Sequence, residues 1–494
     1  MLKKFIYKFH RMLGTILSIL FLLWFLTGFV MIYHNFPKIN NIEKYRGLAQ
    51  IDTILGNDMD SLIADLSSSG QRIESFLLKS STKGGFQIEY KTEDNYFIVD
   101  GLGQFTNRQS FSNIQSYASK VNSFPVLKVD TLKKLDRWVP YDKHYADFPL
   151  YKFYFQDEDE SELYVSSKTG EGIQYTNSDS RFWAWVGAIP HWLYIADLRH
   201  YTGLWKVIVI GLSGISSLVC VTGIIIAFRS FYKRYKRKKE LKSPYKSIYK
   251  WHHILGFVFG AVIFTFAFSG MMSLQKVPQW IIKTHNPELV TNANQNPLVI
   301  PPDKYPLDYK DVLVAYNGKI QKLEWCMFGN IPYYKAVVND SLFYLDATSS
   351  DDIKELYLSE NDIRNKISKI HPDRVINIEL MNDYDNYYIH KRHTYSLPVY
   401  KIIVDDSDES LYYIDPKTTE TRYLNINMKV RKWTYQALHS FSVKYFLDRP
   451  ILWNILMWVS MIGGTIVSIT GVYLGFKFLK REIKRYKQYW NFLL

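Results

Sequence analysis

The chain contains twelve histidines, and four of them recur in register. His10 opens the run His10-Arg-Met-Leu-Gly14, and His252 opens His252-His-Ile-Leu-Gly256 a constant 242 residues later; His191 and His439 stand 248 apart. Each of the four lies at the edge of a long apolar run, where an imidazole is costly unless it has a partner. Neutral imidazole is a good ligand for iron, and two imidazoles at equal depth on opposite sides of an axis suit the two faces of a flat porphyrin. The chemistry these residues could perform is therefore bis-histidine ligation of haem b, with the iron held by His10 and His252 in one site and by His191 and His439 in another. Two haem b groups would then stack across a membrane. His253, beside His252, is an alternative ligand without a repeat equivalent. His34 lies 24 residues beyond His10, about 36 Å along a helix, and Lys276 stands at its equivalent position, so it and His200 are secondary candidates. The two cysteines form no CxxC or zinc spacing and no CxxCH for covalent haem attachment.

The elements that must position these side chains are four apolar runs, at 12–36, 204–228, 251–275 and 451–478. They hold no Asp, Glu or Arg, and their lysines are confined to the edges, Lys206 at the start of the second and Lys477 near the end of the last. About 20 apolar residues cross the hydrocarbon of a bilayer, so each run is expected to be a transmembrane helix, the first a retained anchor rather than a cleaved signal. Residues 1–11, 229–250 and 477–494 carry twenty Lys and Arg against only Glu240 and Glu482, which accounts for more than the whole net charge of +14. The positive-inside rule places residues 1–11, the basic loop 229–250 and the tail 479–494 in the cytoplasm, with both termini inside. Basic runs beside spans are explained by topology and anionic lipid, so the charge does not argue for nucleic acid. Small residues at Gly256 and Gly260, and at Gly464, Ser468, Gly471 and Gly475, clear one stripe of the third and fourth spans, for a bound group or for helix packing.

Segments 37–203 and 276–450 then lie outside the cytoplasm. With 47% hydrophobic and 16% aromatic residues the chain is not disordered. Strand-like runs at 150–155 and 162–166, and again at 399–404 and 411–414, predict antiparallel hairpins, and helical periodicity appears at 59–66, 111–121 and 360–370. Each segment reads as a small α+β module. Pro149-Leu-Tyr-Lys152 matches Pro398-Val-Tyr-Lys401, and Trp185, Trp205 and Thr222-Gly223 match Trp433, Trp453 and Thr470-Gly471. The near-constant offset predicts an internal duplication of a unit made of span, module and span, related by a pseudo-two-fold axis along the membrane normal. The expected fold is a four-helix transmembrane bundle carrying two extracytoplasmic modules. His390-Lys-Arg-His393, near Tyr387, and Trp185 and Trp433, beside the second histidine pair in sequence, mark a candidate substrate region.

On His10-Arg-Met-Leu-Gly14 with Trp24-Phe-Leu-Thr-Gly28, Trp251-His-His-Ile-Leu-Gly256 with Phe268-Ser-Gly270, Phe182-Trp-Ala-Trp185 with Pro190-His-Trp192, Thr169-Gly-Glu171, and Asp448-Arg-Pro450, the chain resembles the PepSY-associated transmembrane family over nearly its whole length. Where that family has Asp-Pro-x-Thr-Gly, this chain has Asp415-Pro-Lys-Thr-Thr419, which puts one turn in question. The resemblance implies a bacterial inner-membrane protein, similar to siderophore reductases that carry two b haems. It implies an oxidoreductase that passes electrons outward to a ferric chelate such as a ferric siderophore, in iron uptake. The lack of a nicotinamide or flavin fingerprint leaves a quinol or a separate electron-donor protein as the source. The alternative is a membrane-anchored pair of binding or regulatory modules without cofactor.

Overall fold

In the computed structural model, which describes residues 2–51, 60, 61, 63–65, 73–82, 85–93, 95–292 and 301–493, each apolar run is one helix. TM1 spans Leu2–Tyr33, TM2 Thr202–Lys238, TM3 Ser247–Leu274 and TM4 Pro450–Leu493, and all four are long and apolar enough to cross a bilayer. TM2 and TM4 continue past 228 and 478 into the basic segments, because Lys and Arg are good helix formers and nothing there breaks the backbone ladder. TM1 packs on TM4 and TM2, and TM3 packs on TM2 and TM4, so TM1 and TM3 stand on a diagonal. Part of the small-residue stripe serves that packing. A Cβ at Gly464 would fall 2.2 Å from the ring of Phe25, and one at Gly463 would fall 2.3 Å from Phe259.

At one end of the bundle the two long segments form antiparallel sheets. The first contributes β1 (Ile73–Ser81), β2 (Gly85–Thr92), β3 (Tyr96–Asp100), β4 (Phe105–Thr106), β5 (Val126–Leu132), β6 (Leu150–Phe155), β7 (Glu162–Ser166) and β8 (Gly172–Thr176); the second contributes β9 (Ile320–Phe328), β10 (Ile331–Val338), β11 (Ser341–Asp346), β12 (Ile376–Met381), β13 (Val399–Val404), β14 (Leu411–Ile414) and β15 (Thr421–Leu424). Both expected hairpins form, as β6–β7 and β13–β14. Helices Phe111–Val121 and Glu360–Ile370 also form as expected, each started by a serine side chain that accepts a backbone N–H. Their apolar faces cover β5–β8 and β12–β15, through Ile114 and Tyr117 in the first and Ile363 and Ile367 in the second. Of the expected helix 59–66, residues 60, 61 and 63–65 are helical and the remainder lie outside the described residues.

The segments are less separate than their strand patterns suggest. β1 to β4 and β9 to β11 form one seven-stranded sheet in the order β11-β10-β9-β1-β2-β3-β4. The seam is β1 against β9, with Phe76 opposite Trp325 and Leu78 opposite Leu323. Two edges that would otherwise stay open are joined, and all four side chains are buried. Beside the seam, Glu171 receives ammonium groups from three parts of the chain: Lys44 at 3.0 Å, Lys79 of β1 at 2.6 Å and Lys322 of β9 at 3.0 Å. Lys79 also reaches Glu89 at 2.8 Å. Burial opposes ionisation of Glu171, but Lys322, Lys79 and Lys44 together hold its carboxyl well below the usual carboxylate range.

The turn that departs from the family pattern keeps its shape. Thr419 takes φ +60°, as Gly170 takes φ +67° in the corresponding turn, and each donates its N–H to a carbonyl four residues back, Asp415 and Ser166, at 2.9 Å. A β-branched residue there costs on the order of 1 kcal/mol or more. Thr419 offsets part of it by hydrogen-bonding through its hydroxyl to Tyr333 at 2.9 Å.

Glu171→Gln leaves Lys79 and Lys322 buried with less compensation, and a loss of about 3 kcal/mol is expected, read by chemical denaturation of the sheet domain followed through Trp325. Because the folded-state pKa of Glu171 is depressed, its contribution is present above the unfolded value of 4.5 and is lost as pH falls through the folded value. The wild type should lose stability on acidification below about 4.5 more steeply than the variant; parallel pH profiles would contradict this.

Candidate functional site

The four recurring histidines all face the interior of the bundle, in two pairs at different depths. At the sheet-bearing end, His191 sits on the short helix Ala188–Trp192 and His439 on the turn Leu438–Ser440. Their ring centres are 6.1 Å apart with planes inclined at 69°. His439 follows a π-helical stretch, Lys432–Ala437, a wider coil that re-aims the side chains after it. Two indoles pin the histidine turns. Trp205 Nε1 donates to the carbonyl of Trp192 at 2.9 Å, and Trp453 Nε1 donates to that of Ser440 at 2.8 Å. The next residues, Leu193 and Phe441, both take positive φ, 54° and 48°.

Each imidazole is oriented by one hydroxyl. His191 Nδ1 lies 3.0 Å from Thr27 Oγ1 and His439 Nδ1 lies 2.9 Å from Ser269 Oγ. At the basic end, His252 Nδ1 lies 2.9 Å from Thr470 Oγ1, and His10 Nδ1 lies 3.3 Å from Thr222 Oγ1 and 3.0 Å from the carbonyl of Val219. In every case the hydroxyl donates its own proton to a carbonyl one turn back on its helix: Thr27 to Leu23 at 2.7 Å, with Trp24 at 3.2 Å, Ser269 to Phe266 at 3.1 Å, Thr470 to Val467 at 2.8 Å and Thr222 to Val219 at 2.8 Å. A hydroxyl has one proton. With that proton spent on the carbonyl, it must accept from Nδ1–H, which fixes the tautomer and leaves the lone pair on Nε2. Among the described residues none hydrogen-bonds Nε2 of any of the four. Burial, and then the facing His439, push the pKa of His191 down to about 3; burial pushes His439 to about 4. Both are neutral, the form that ligates metal.

These side chains fit a bis-histidine haem. Iron bonded to two imidazole nitrogens at about 2 Å, with each ring centre about 1 Å beyond its nitrogen, sets the ring centres about 6 Å apart, the separation found for His191 and His439. The other ring nitrogen of a ligating histidine ordinarily donates to a fixed acceptor, as all four do here. At the basic end, His10 and His252 project from the diagonal helices TM1 and TM3 into a cavity of about 1280 Å³ that is also lined by Gly14, Gly223, Gly471 and Gly475. The glycines clear the space: a Cβ at Gly223 would fall 2.8 Å from the His10 ring, and one at Gly471 would fall 3.5 Å from that of His252. Among the described residues no three or more His, Cys, Asp or Glu side chains gather into a metal-binding group.

The secondary candidates lie elsewhere. His253 is wedged between Phe231, at 4.4 Å, and Tyr245, at 5.0 Å between ring centres. His34 stacks on Trp183 at 3.8 Å, and His200 Nε2 hydrogen-bonds the Leu135 carbonyl at 3.0 Å. His390 and His393 belong to a turn in the second segment. His390 Nδ1 lies 3.1 Å from Thr394 Oγ1, and His393 Nε2 lies 3.7 Å from Asp448. This turn joins a cationic group: burial, then Arg392, Arg422, Lys391 and Lys432, lower the pKa of His390, and burial followed by Arg422 pushes Lys432 to about 8. Lys391 rests on the ring of Trp453 at 4.4 Å, the indole that pins the His439 turn. Trp185 and Trp433 do not join one aromatic cluster. Arg137 covers Trp185 at 4.5 Å, and Trp433 Nε1 donates to the Tyr387 hydroxyl at 3.3 Å.

Reading the residues one by one missed the positioning of the four imidazoles and their turns by Thr27, Ser269, Thr222, Thr470, Trp205 and Trp453. The available signal was their recurrence at the offsets of the histidines.

Fold and site together define a four-helix membrane protein with antiparallel α+β sheet domains at one end and two histidine pairs inside the bundle. The chain matches the family of the PepSY-associated TM region over residues 8–474 and belongs to it. No curated protein matches the chain.

Thr27→Val or Ser269→Ala removes the acceptor that fixes one imidazole. Either is expected to weaken haemin binding at that pair about 10- to 100-fold, measured by absorbance titration of the detergent-purified chain; unaltered affinity would show that the hydroxyls do not orient the ligands.

Proposed function

We propose that the protein is a transmembrane haem b reductase of a bacterial inner membrane, with both termini in the cytoplasm, that passes electrons outward to a ferric chelate such as a ferric siderophore. The observation that carries the reading is the fourfold arrangement of Nδ1-tethered histidines with free Nε2 atoms, in two facing pairs at the two ends of one bundle. The same arrangement supports an internal duplication, since each histidine and its hydroxyl recur at 242 or 248 residues. Haem, when bound, supplies the one-electron chemistry. The residues of this chain hold the axial positions, keep each imidazole neutral and in one tautomer, and exclude water with the apolar core around Phe21, Phe25, Phe266 and Met461. An anionic chelate is favoured at the sheet-bearing end by the group of Lys391, Arg392, Arg422 and Lys432 beside the His439 turn. Conversion of ferric to ferrous iron lowers the charge that hard oxygen ligands prefer, so the chelator releases the metal. Quinol or a separate donor protein feeds electrons at the cytoplasmic end.

Protein purified from haem-replete cells is expected to be red, with close to two b-type haems per chain, both extractable by acid acetone; a colourless folded protein would refute the reading. His191→Ala or His439→Ala should remove one haem and stop reduction of an added ferric chelate, whereas His10→Ala or His252→Ala should remove the other. Loss of the inner haem in His253→Ala but not in His252→Ala would keep the architecture and change the ligand.

A further inference from the structure

The cavity around His10 and His252 has a selectively cationic mouth. It is lined by Lys3, Lys4, Lys8 and Arg11 of TM1 and by four cations of TM4 between Lys477 and Lys484, yet by none of the ten Lys and Arg of 229–250. The positive-inside rule draws all of these residues to the same end of the bundle and so does not explain why only the TM1 and TM4 sets face the cavity. No Asp or Glu lines it. Among the described residues, Arg481 alone of the eight has a carboxylate within reach, Glu482 at 3.5 Å. Arg11 lies on the ring of Phe478 at 4.7 Å and Lys477 on that of Tyr249 at 5.5 Å. These contacts hold both charges at the cavity wall without neutralising them. Deeper in, the wall is apolar, with Phe21, Ile224, Ile263 and Val467. Across the pseudo-two-fold axis, the counterpart of Arg11 is His253, a buried imidazole with neither ring nitrogen in a hydrogen bond; the Ala227 carbonyl lies near the ring without meeting that geometry. The cationic side of the cavity is therefore the TM1–TM4 side.

Unpaired cations around an apolar cavity call for an anion with an apolar body. We propose that Arg11 and Lys477 are the centre of a collar that binds the propionate carboxylates of a haem held by His10 and His252, and so decide which edge of the porphyrin faces TM1 and TM4. This inference rests on the haem reading above. Its test is one of binding. The full-length chain carrying His191→Ala, which disables the other site, is purified free of haem and titrated with haemin and with haemin dimethyl ester, whose carboxylates are capped. Haemin is expected to bind at least about tenfold more tightly than the ester, as loss of a charge-assisted pair costs. Arg11→Gln with Lys477→Gln should abolish that preference and Arg11→Lys should retain it; Arg229→Gln with Lys233→Gln, on TM2 outside the cavity, should leave it intact. Equal affinity for acid and ester in the starting protein, or a preference that survives the double variant, would overturn the collar. Loss of the preference when phosphatidylglycerol is added would assign the cations to lipid phosphate instead. Failure of the chain with His191 intact to bind either porphyrin would overturn the haem reading as well, whereas two bound haems without any acid–ester preference would overturn the collar alone.

Discussion

The arrangement depends on one short hydrogen-bond relay: a helix carbonyl takes the proton of a Thr or Ser hydroxyl, and that hydroxyl takes the Nδ1 proton of a histidine from a neighbouring element. Buried inside the bundle, an untethered imidazole would lack any partner for its polar nitrogens and would be costly and rotationally free. The relay removes both problems, and it does so four times with the same chemistry. It also dictates the neighbouring backbone. Gly223 and Gly471, which follow Thr222 and Thr470, keep a Cβ away from the rings that those hydroxyls hold, and Trp205 and Trp453 tie down the turns on which His191 and His439 are carried.

A facing pair also requires that its two halves stay at a fixed separation, although they belong to different halves of the chain. Two constraints supply this. TM1 and TM3 touch through Phe25 and Phe266, ring centres 6.0 Å apart, but each packs mainly on TM2 and TM4, with Phe25 and Phe259 seated on glycines of TM4. Above the bundle, the β1–β9 seam and the Glu171 cluster tie the long segments into one sheet. Buried charges of this kind are weak evidence for added stability. Here they connect Lys44, just beyond TM1, to Lys322 of the second segment, so their geometric effect is to hold the two halves in register.

Much of the fold was legible in the sequence, because its signals are local. An apolar run of this length has no other stable state in lipid than a helix, and alternating strands on either side of a short polar turn fold back on each other, as at 150–166 and 399–414. The histidines stood out for a similar reason: a polar residue at a span edge that recurs at a fixed offset is conspicuous without any knowledge of contacts. The glycine missing at Thr419 was visible too, although only the fold shows that the turn accepts φ +60° there and gains the Tyr333 hydrogen bond.

The sequence by itself determined the four spans, the four strands of the two hairpins and the four repeated imidazoles, since each rests on periodicity, composition or internal likeness within the chain. Only the tertiary structure decided which groups meet. The seam of the seven-stranded sheet joins residues about 240 positions apart, and an open strand edge carries no mark of the partner that will cover it. His252 and His253 differ in sequence only by their repeat match. In space, one reaches the Thr470 hydroxyl and the other is enclosed by Phe231 and Tyr245, because successive residues on a helix point about 100° apart. The same rotation turns the basic residues of TM1 and TM4 toward the cavity and those of TM2 away from it, a distinction that charge alone, counted along the chain, does not contain.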